Sequence, residues 1–192
     1  MSTPHILAFA GSLRQDSVNK RLAKIALREA EKVGAHVTWA DLAEYQMPLY
    51  CQDYEDEHGI PDSAVALKEL MKSHNGFLIA SPEYNGSLTG IMKNTIDWMS
   101  RPYADDPRMA CFDGKIAGLM AASPGGLGGL RGLSHLRTIL AGIGTFVLPN
   151  HVAVGHAGTN LVDDESIKDE QLQKAITTLS TELVRVVSVL QD

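Results

Sequence analysis

His5-Ile6-Leu7-Ala8-Phe9-Ala10-Gly11-Ser12-Leu13-Arg14-Gln15-Asp16-Ser17-Val18-Asn19 decides how the rest of the chain is read. Residues 5–10 are a short apolar run closed by a glycine, which predicts a buried strand. Val18, Leu22, Ile25, Ala26, Ala30 and Val33 then recur at helical spacing. Asp16 or Ser17 is suited to cap the start of that helix, and Gly34 stands where a helix C-terminus favours glycine. Between strand and helix lies a loop of small hydroxyls, one glycine and one cation. A helix N-terminus offers unpaired amides and a partial positive charge, so this loop is suited to a phosphate.

The same punctuation recurs along the chain. Gly76-Phe77-Leu78-Ile79-Ala80 leads into Ser81-Pro82-Glu83-Tyr84-Asn85-Gly86-Ser87-Leu88 and then a helix over 88–100. Lys115–Ala122 leads into Ser123-Pro124-Gly125-Gly126-Leu127-Gly128-Gly129 and a helix starting near Leu130. His36–Ala40 reads as a further strand. Residues 145–148 begin a fifth, which Pro149 interrupts and 152–154 continue. A helix is expected from Asp62 or Ser63, and another over 166–190 with the stripe Leu172, Ile176, Leu179, Leu183, Val186, Leu190. Residues 41–61, with Pro48 and Pro61, read as a long irregular connection, and Asp53–Glu57 within it as a solvated acidic loop. Strands alternating with helices predict a parallel sheet covered on both faces, a three-layer α/β architecture. No repeat, low-complexity tract or linker divides the chain, so residues 1–192 are expected to form one domain.

Composition narrows the function. The chain has 192 residues, 44% hydrophobic and 21% charged, with mean hydropathy near zero. A net charge of −6 argues against a nucleic-acid partner, which normally calls for a basic face. No apolar run approaches the roughly 18 to 20 residues of a membrane helix, and Met1–His5 has no basic region ahead of an apolar stretch. Cys51 and Cys111 read as two buried or partly buried free thiols, and the expected compartment is the cytoplasm. His5, His135, His151 and His156 lack metal-ligand spacing, and no metal site is expected. Trp98 and Met99 read as core or subunit contact, and Asp97 as a polar-face residue.

In such folds ligands sit beyond the carboxyl ends of the strands, where all three polar loops lie. The first loop is neither G-x-x-x-x-G-K-[ST] nor G-x-G-x-x-G, which argues against ATP or GTP hydrolysis and against a dinucleotide Rossmann site. Ser12 and Ser17 offer hydroxyls, Arg14 a charge-assisted contact, and Asn19 lies in the first turn. In the second loop Pro82 is rigid, Asn85 carries an amide, Gly86 permits close approach, and Tyr84 can stack on a ring. Glu83 reads as a general base or, more simply, as an acceptor that stabilises its loop. The glycines of 123–129 read as a flexible connection or as backbone passing close to a flat ligand. The combination suggests one ligand with a phosphate at one end and an aromatic ring at the other.

Gly11-Ser12-Leu13-Arg14 with Ser17 and Asn19, then Ser81–Ser87 with Lys93-Asn94, resembles the NAD(P)H-dependent FMN reductase family, which includes bacterial quinone, chromate and azo-dye reductases. The likeness runs through Ser123-Pro124-Gly125-Gly126 to Leu136-Arg137. It departs at Thr89, where many relatives carry proline. The resemblance implies a flavodoxin-like fold with strand order 2-1-3-4-5, non-covalent FMN, and a homodimer or homotetramer. By matching positions it implies that Ser12, Arg14, Ser17 and Asn19, with Val18 among them, hold the FMN phosphate. Pro82, Glu83, Tyr84 and Asn85 would border the isoalloxazine, with Ser123 and Gly125 approaching from the next loop. Met47-Pro48-Leu49-Tyr50 resembles a family stretch near the active site. The implied activity is ping-pong hydride transfer from NAD(P)H through FMN to a quinone or similar acceptor, with no side chain required as nucleophile. A flavodoxin-type electron carrier and a flavin-free binding protein remain alternatives. NADH against NADPH stays open, with Arg101, Arg108 and Arg131 each a candidate for meeting a 2′-phosphate.

Overall fold

A computed structural model describes residues 3–190. The elements follow in the order β1 (His5–Ala10), α1 (Val18–Lys32), β2 (His36–Ala40), α2 (Gln52–His58), α3 (Asp62–Lys72), β3 (Gly76–Ala80), α4 (Gly90–Met99), β4 (Ile116–Ala122), α5 (Leu130–Gly142), β5 (Phe146–Val154), α6 (Ala157–Asn160) and α7 (Glu170–Leu190). All five strands are parallel, in the order β2-β1-β3-β4-β5.

Side chains alternate across a strand, so a sheet buried on both faces needs apolar residues at every position. In β1, Ile6, Ala8 and Ala10 pack with α1 and α7, including Leu22, Ile25, Leu179 and Leu183. Leu7 and Phe9 face the other way, toward α3, α4 and α5, through Leu67, Met92, Trp98 and Leu136. The chain moves from β1 outward to β2, then crosses back to β3. Helix α1 therefore leaves β1 for one face, while α4 leaves β3 for the opposite face. The loops after these neighbouring strands diverge, and that divergence opens a crevice at the carboxyl edge.

Three expectations from the sequence are corrected. The connection 41–61 contains α2, and the acidic run Asp53–Glu57 lies on it rather than in a loop. Tertiary partners hold that helix: Tyr54 meets Trp98 edge-on at 6.1 Å, and Glu55 accepts from Arg101 Nε at 2.9 Å. Cys51, directly before α2, is exposed; Cys111 is buried. Pro149 interrupts the pairing of the fifth strand as expected: the register jumps from Ala117–Val147 to Leu119–His151, and the strand then continues to Val154. Helix α7 begins at Glu170, not 166, because the Asp169 carboxylate accepts from Gln171 and Leu172 N–H at 2.9 and 3.0 Å.

Trp98 and Met99 are buried in the α4 layer. Trp98 Nε1 and Asn94 Nδ2 both donate to Pro48 O, at 2.8 and 2.9 Å, and Tyr50 N–H donates to Asn94 Oδ1. This pins the stretch 47–50 against α4 and leaves Leu49 81% exposed.

Candidate active site

At the end of β1, Gly11 N–H still donates to Ala80 O of β3, while Ser12 N–H turns back to Ala10 O at 2.8 Å. Ser17 precedes α1 in an extended conformation and its side chain makes no capping hydrogen bond. The first turn of α1 holds no acidic residue. Lys20 is turned away into an ion pair with Asp41 at 2.7 Å. Among the described residues, no protein group hydrogen-bonds or pairs with the Arg14 guanidinium. A helix N-terminus, a free hydroxyl and a free guanidinium thus converge with nothing anionic from the protein to satisfy them. That donor set matches a phosphate monoester.

Asn19 has a role that its sequence context did not reveal. Its Nδ2 donates to Ala122 O and its Oδ1 accepts from Ala122 N–H, each at 2.9 Å. The amide therefore clamps the start of α1 to the end of β4.

The second loop is a tight turn. Tyr84 and Ser87 exchange backbone hydrogen bonds of 2.9 and 3.1 Å, with φ of 53° at Asn85 and 80° at Gly86. Positive φ at both central positions is the type I′ pattern that favours Asn-Gly. Tyr84 is left 54% exposed on the rim. Glu83 acts as the loop acceptor. Its carboxylate takes N–H bonds from Arg131 (3.0 Å) and Gly132 (3.2 Å) at the start of α5, and Arg131 Nε at 2.7 Å. Burial alone would raise the Glu83 carboxyl, but the Arg131 side chain and these two amides outweigh it and hold the pKa below the usual value.

Thr89, the departure from the resemblance, fastens the second loop. It is the N-cap of α4, accepting from Met92 N–H, and its hydroxyl donates to Gly11 O at 2.7 Å. The first and second loops are thereby tied together.

The third loop is a fastened connection rather than a flexible one. Ser123 N–H donates to Val154 O, and Ala157 N–H to Ser123 O. Gly128 has φ of 62°, and a Cβ there would lie 2.7 Å from backbone atoms of Ala153 and Val154. Gly128 thus serves close packing on β5, whereas a Cβ at Gly125 would meet nothing nearer than Ser123 Oγ at 3.9 Å.

Ser12, Arg14, Ser17, Val18, Asn19, Pro82, Glu83, Tyr84 and Ser123 line one cleft, joined by Ala122 and Pro124. Asn85 and Gly125 lie outside that lining. Ala122 and Pro124 carry no chemical signature in sequence, being brought in by the end of β4. The cleft measures about 100 Å³, against roughly 300–1,000 Å³ for pockets that enclose a drug-sized ligand, so it takes one narrow end and the remainder lies over the rim.

The chain matches the model of the NADPH-dependent FMN reductase family over residues 4–159. It is 33% identical over 175 residues to the 2-hydroxy-1,4-benzoquinone reductase of a Burkholderia species, covering 90% of each chain. It is 36% identical over 165 residues to the quinone reductase of Escherichia coli, 84% of this chain and 82% of that one. FerB, the flavoenzyme NAD(P)H:(acceptor) oxidoreductase of Paracoccus denitrificans, superimposes with a TM-score of 0.80 at 28% identity, over 97% of this chain and 98% of that one. These likenesses span the elements that build the cleft, and the chain belongs to the NADPH-dependent FMN reductase family.

Proposed function

We propose that the whole chain acts as one FMN-binding domain that moves reducing equivalents from NAD(P)H to quinones. The observation that carries this reading is the cleft itself, where an unsatisfied anion cradle meets an open, partly aromatic rim. The named quinone reductases among its relatives support the acceptor class.

Bound FMN supplies the redox chemistry, taking hydride from NAD(P)H and giving two electrons to the acceptor. The residues of this chain supply position and electrostatics. Arg14, the hydroxyls of Ser12 and Ser17, and the α1 amides of Val18 and Asn19 bind the phosphate. Pro82, Glu83 and Tyr84 border the ring, with Asn85 shaping the turn and Ser123 and Gly125 on the facing loop. The Glu83 charge is balanced by Arg131 and the start of α5, so it adds little repulsion toward an electron-rich ring. Both substrates approach the same rim, which suits alternating occupancy.

The test is the visible spectrum of FMN-reconstituted protein, taken anaerobically with NADPH and then benzoquinone. Bleaching by NADPH and return with quinone is the expected result. Flavin that NADPH leaves unbleached would replace the reductase with an electron carrier, and no bound flavin would remove the function.

Assembly as a homodimer or homotetramer belongs to the same reading. An apolar cavity of about 500 Å³ between α4 and α5, lined by Leu88, Lys93, His135, Thr138 and Ile139, offers surface to bury. Light scattering is expected to give a mass two or four times the 20.8 kDa chain, and a monomer at micromolar concentration would refute it. Among the described residues no helix is long and apolar enough to cross a membrane. The exposed, unpaired Cys51 fits a reducing compartment such as the cytoplasm.

A further inference from the structure

The fold separates three arginines that sequence leaves equivalent. Arg101 and Arg108 lie between α4 and β4, at the edge where the strands begin, opposite the cleft. Arg101 is also occupied: Glu55 accepts from its Nε at 2.9 and 3.1 Å, and the guanidinium sits 5.4 Å over the Tyr50 ring. Arg131 alone of the three stands at the carboxyl edge, in the first turn of α5, beside a residue that lines the cleft.

The setting of Arg131 is unusual for a merely structural cation. A positive charge in the first turn of a helix opposes the helix dipole. It is not needed to cap α5 either, because the Glu83 carboxylate already accepts the backbone N–H of Arg131 and Gly132. Glu83 Oε1 takes Nε at 2.7 Å and pairs with Nη2, fixing the plane of the guanidinium. The side chain nonetheless remains 65% exposed, with most of its five N–H donors without a protein partner among the described residues. Glu83 thus holds one edge of the fork and the other edge faces outward at the rim. Further along α5, Arg137 is turned toward β5, where Pro149 O and Val147 O accept from it. Arg14 lines the cleft within the phosphate loop, and Arg131 borders it through Glu83, the lining residue with which it pairs.

We propose that Arg131, held by Glu83, binds the 2′-phosphate of NADPH and makes this enzyme prefer NADPH to NADH. The inference rests on the cleft being the flavin site. A planar fork with an open edge suits a phosphate dianion, whereas the 2′-hydroxyl of NADH offers no charge to meet it.

The experiment compares wild type, Arg131→Gln and Arg131→Lys in anaerobic reduction of the FMN-loaded enzyme by each coenzyme. Flavin content of every sample is read from its absorbance. Losing a charge-assisted contact should lower kcat/KM for NADPH roughly 10- to 100-fold more than for NADH, chiefly through KM. Arg131→Lys should fall between. Adenosine 2′,5′-bisphosphate should compete with NADPH in wild type and lose that inhibition in Arg131→Gln. Equal losses with both coenzymes would make Arg131 a support for Glu83 and overturn the proposal. An unchanged KM for NADPH in both variants would overturn it too. Wild type that retains no flavin would remove the cleft assignment and this inference together, an outcome the absorbance distinguishes from the others.

Discussion

Arg14→Ala combined with Ser17→Ala is expected to raise the FMN dissociation constant about 100- to 1,000-fold without unfolding the protein. A hydrogen bond to a charged group contributes roughly 1.5–3 kcal/mol and a neutral hydroxyl about 1, and the sum of about 3–4 kcal/mol corresponds to that range. Stability should hardly change, because Arg14 is exposed and the Ser17 side chain caps nothing. The measurement is titration of apoprotein with FMN, by fluorescence quenching, beside a thermal melt of the same samples. Removing Ser17 also leaves the α1 amides in place, so binding weakens and is not abolished. Unchanged affinity would mean that the phosphate lies elsewhere, and the assignment of the first loop would fall.

Asn19→Ala is expected to have the largest effect on stability. Its amide alone satisfies both backbone groups of Ala122, which is 2% exposed, across a separation of 103 residues in sequence. Truncation orphans a buried N–H and a buried C=O, at roughly 1–3 kcal/mol each, or about 2–6 kcal/mol together. For a chain of this size each kcal/mol moves Tm by about 2–4 °C, so a drop of about 4–24 °C is predicted. Water entering the gap would bring the loss toward the low end. Asn19→Asp separates the contributions. It keeps the acceptor for Ala122 N–H, loses the donor, and sets a carboxylate against Ala122 O beside the phosphate cradle, so FMN binding should suffer as well as stability. A Tm within about a degree of wild type for Asn19→Ala would show the clamp to be dispensable.

These two predictions concern residues within the six-residue stretch 14–19, one loop and helix start, yet their roles became known in different ways. Arg14 and Ser17 are legible as phosphate donors because a hydroxyl and a cation before a helix need no distant partner to be recognised. Asn19 shares that context, and its tie to Ala122 could not be read because the partner is a backbone segment with no side-chain signature. The same limit explains Glu83. A carboxylate after proline suggests either a base or a loop acceptor, and the amides of α5 decide between them. The Asn85-Gly86 pair was a readable turn signal, and its positive φ values follow from it.

Helix α2 escaped because its apolar side is narrow. The helix is held by Tyr54 on Trp98 and by Glu55 with Arg101, contacts that link positions more than forty residues apart. Pro149, by contrast, was legible: a proline cannot donate to the ladder, and the β4–β5 pairing lapses around it and resumes at His151.

Sequence by itself determined the five strands, the burial of the central β1, β3 and β4 on both faces and the identity of the loops that gather at one edge. Those features depend on local periodicity and on residues whose backbone preferences act within a few positions. Only the tertiary structure decided which polar groups stay free. The Asn19 amide and the Glu83 carboxylate are consumed by distant backbone, Arg101 is taken by Glu55, and the guanidinium of Arg14 and the outer edge of Arg131 are left to bind something else. Hydrogen-bonding capacity is finite, and what a side chain can offer a ligand is fixed by what the fold has already claimed.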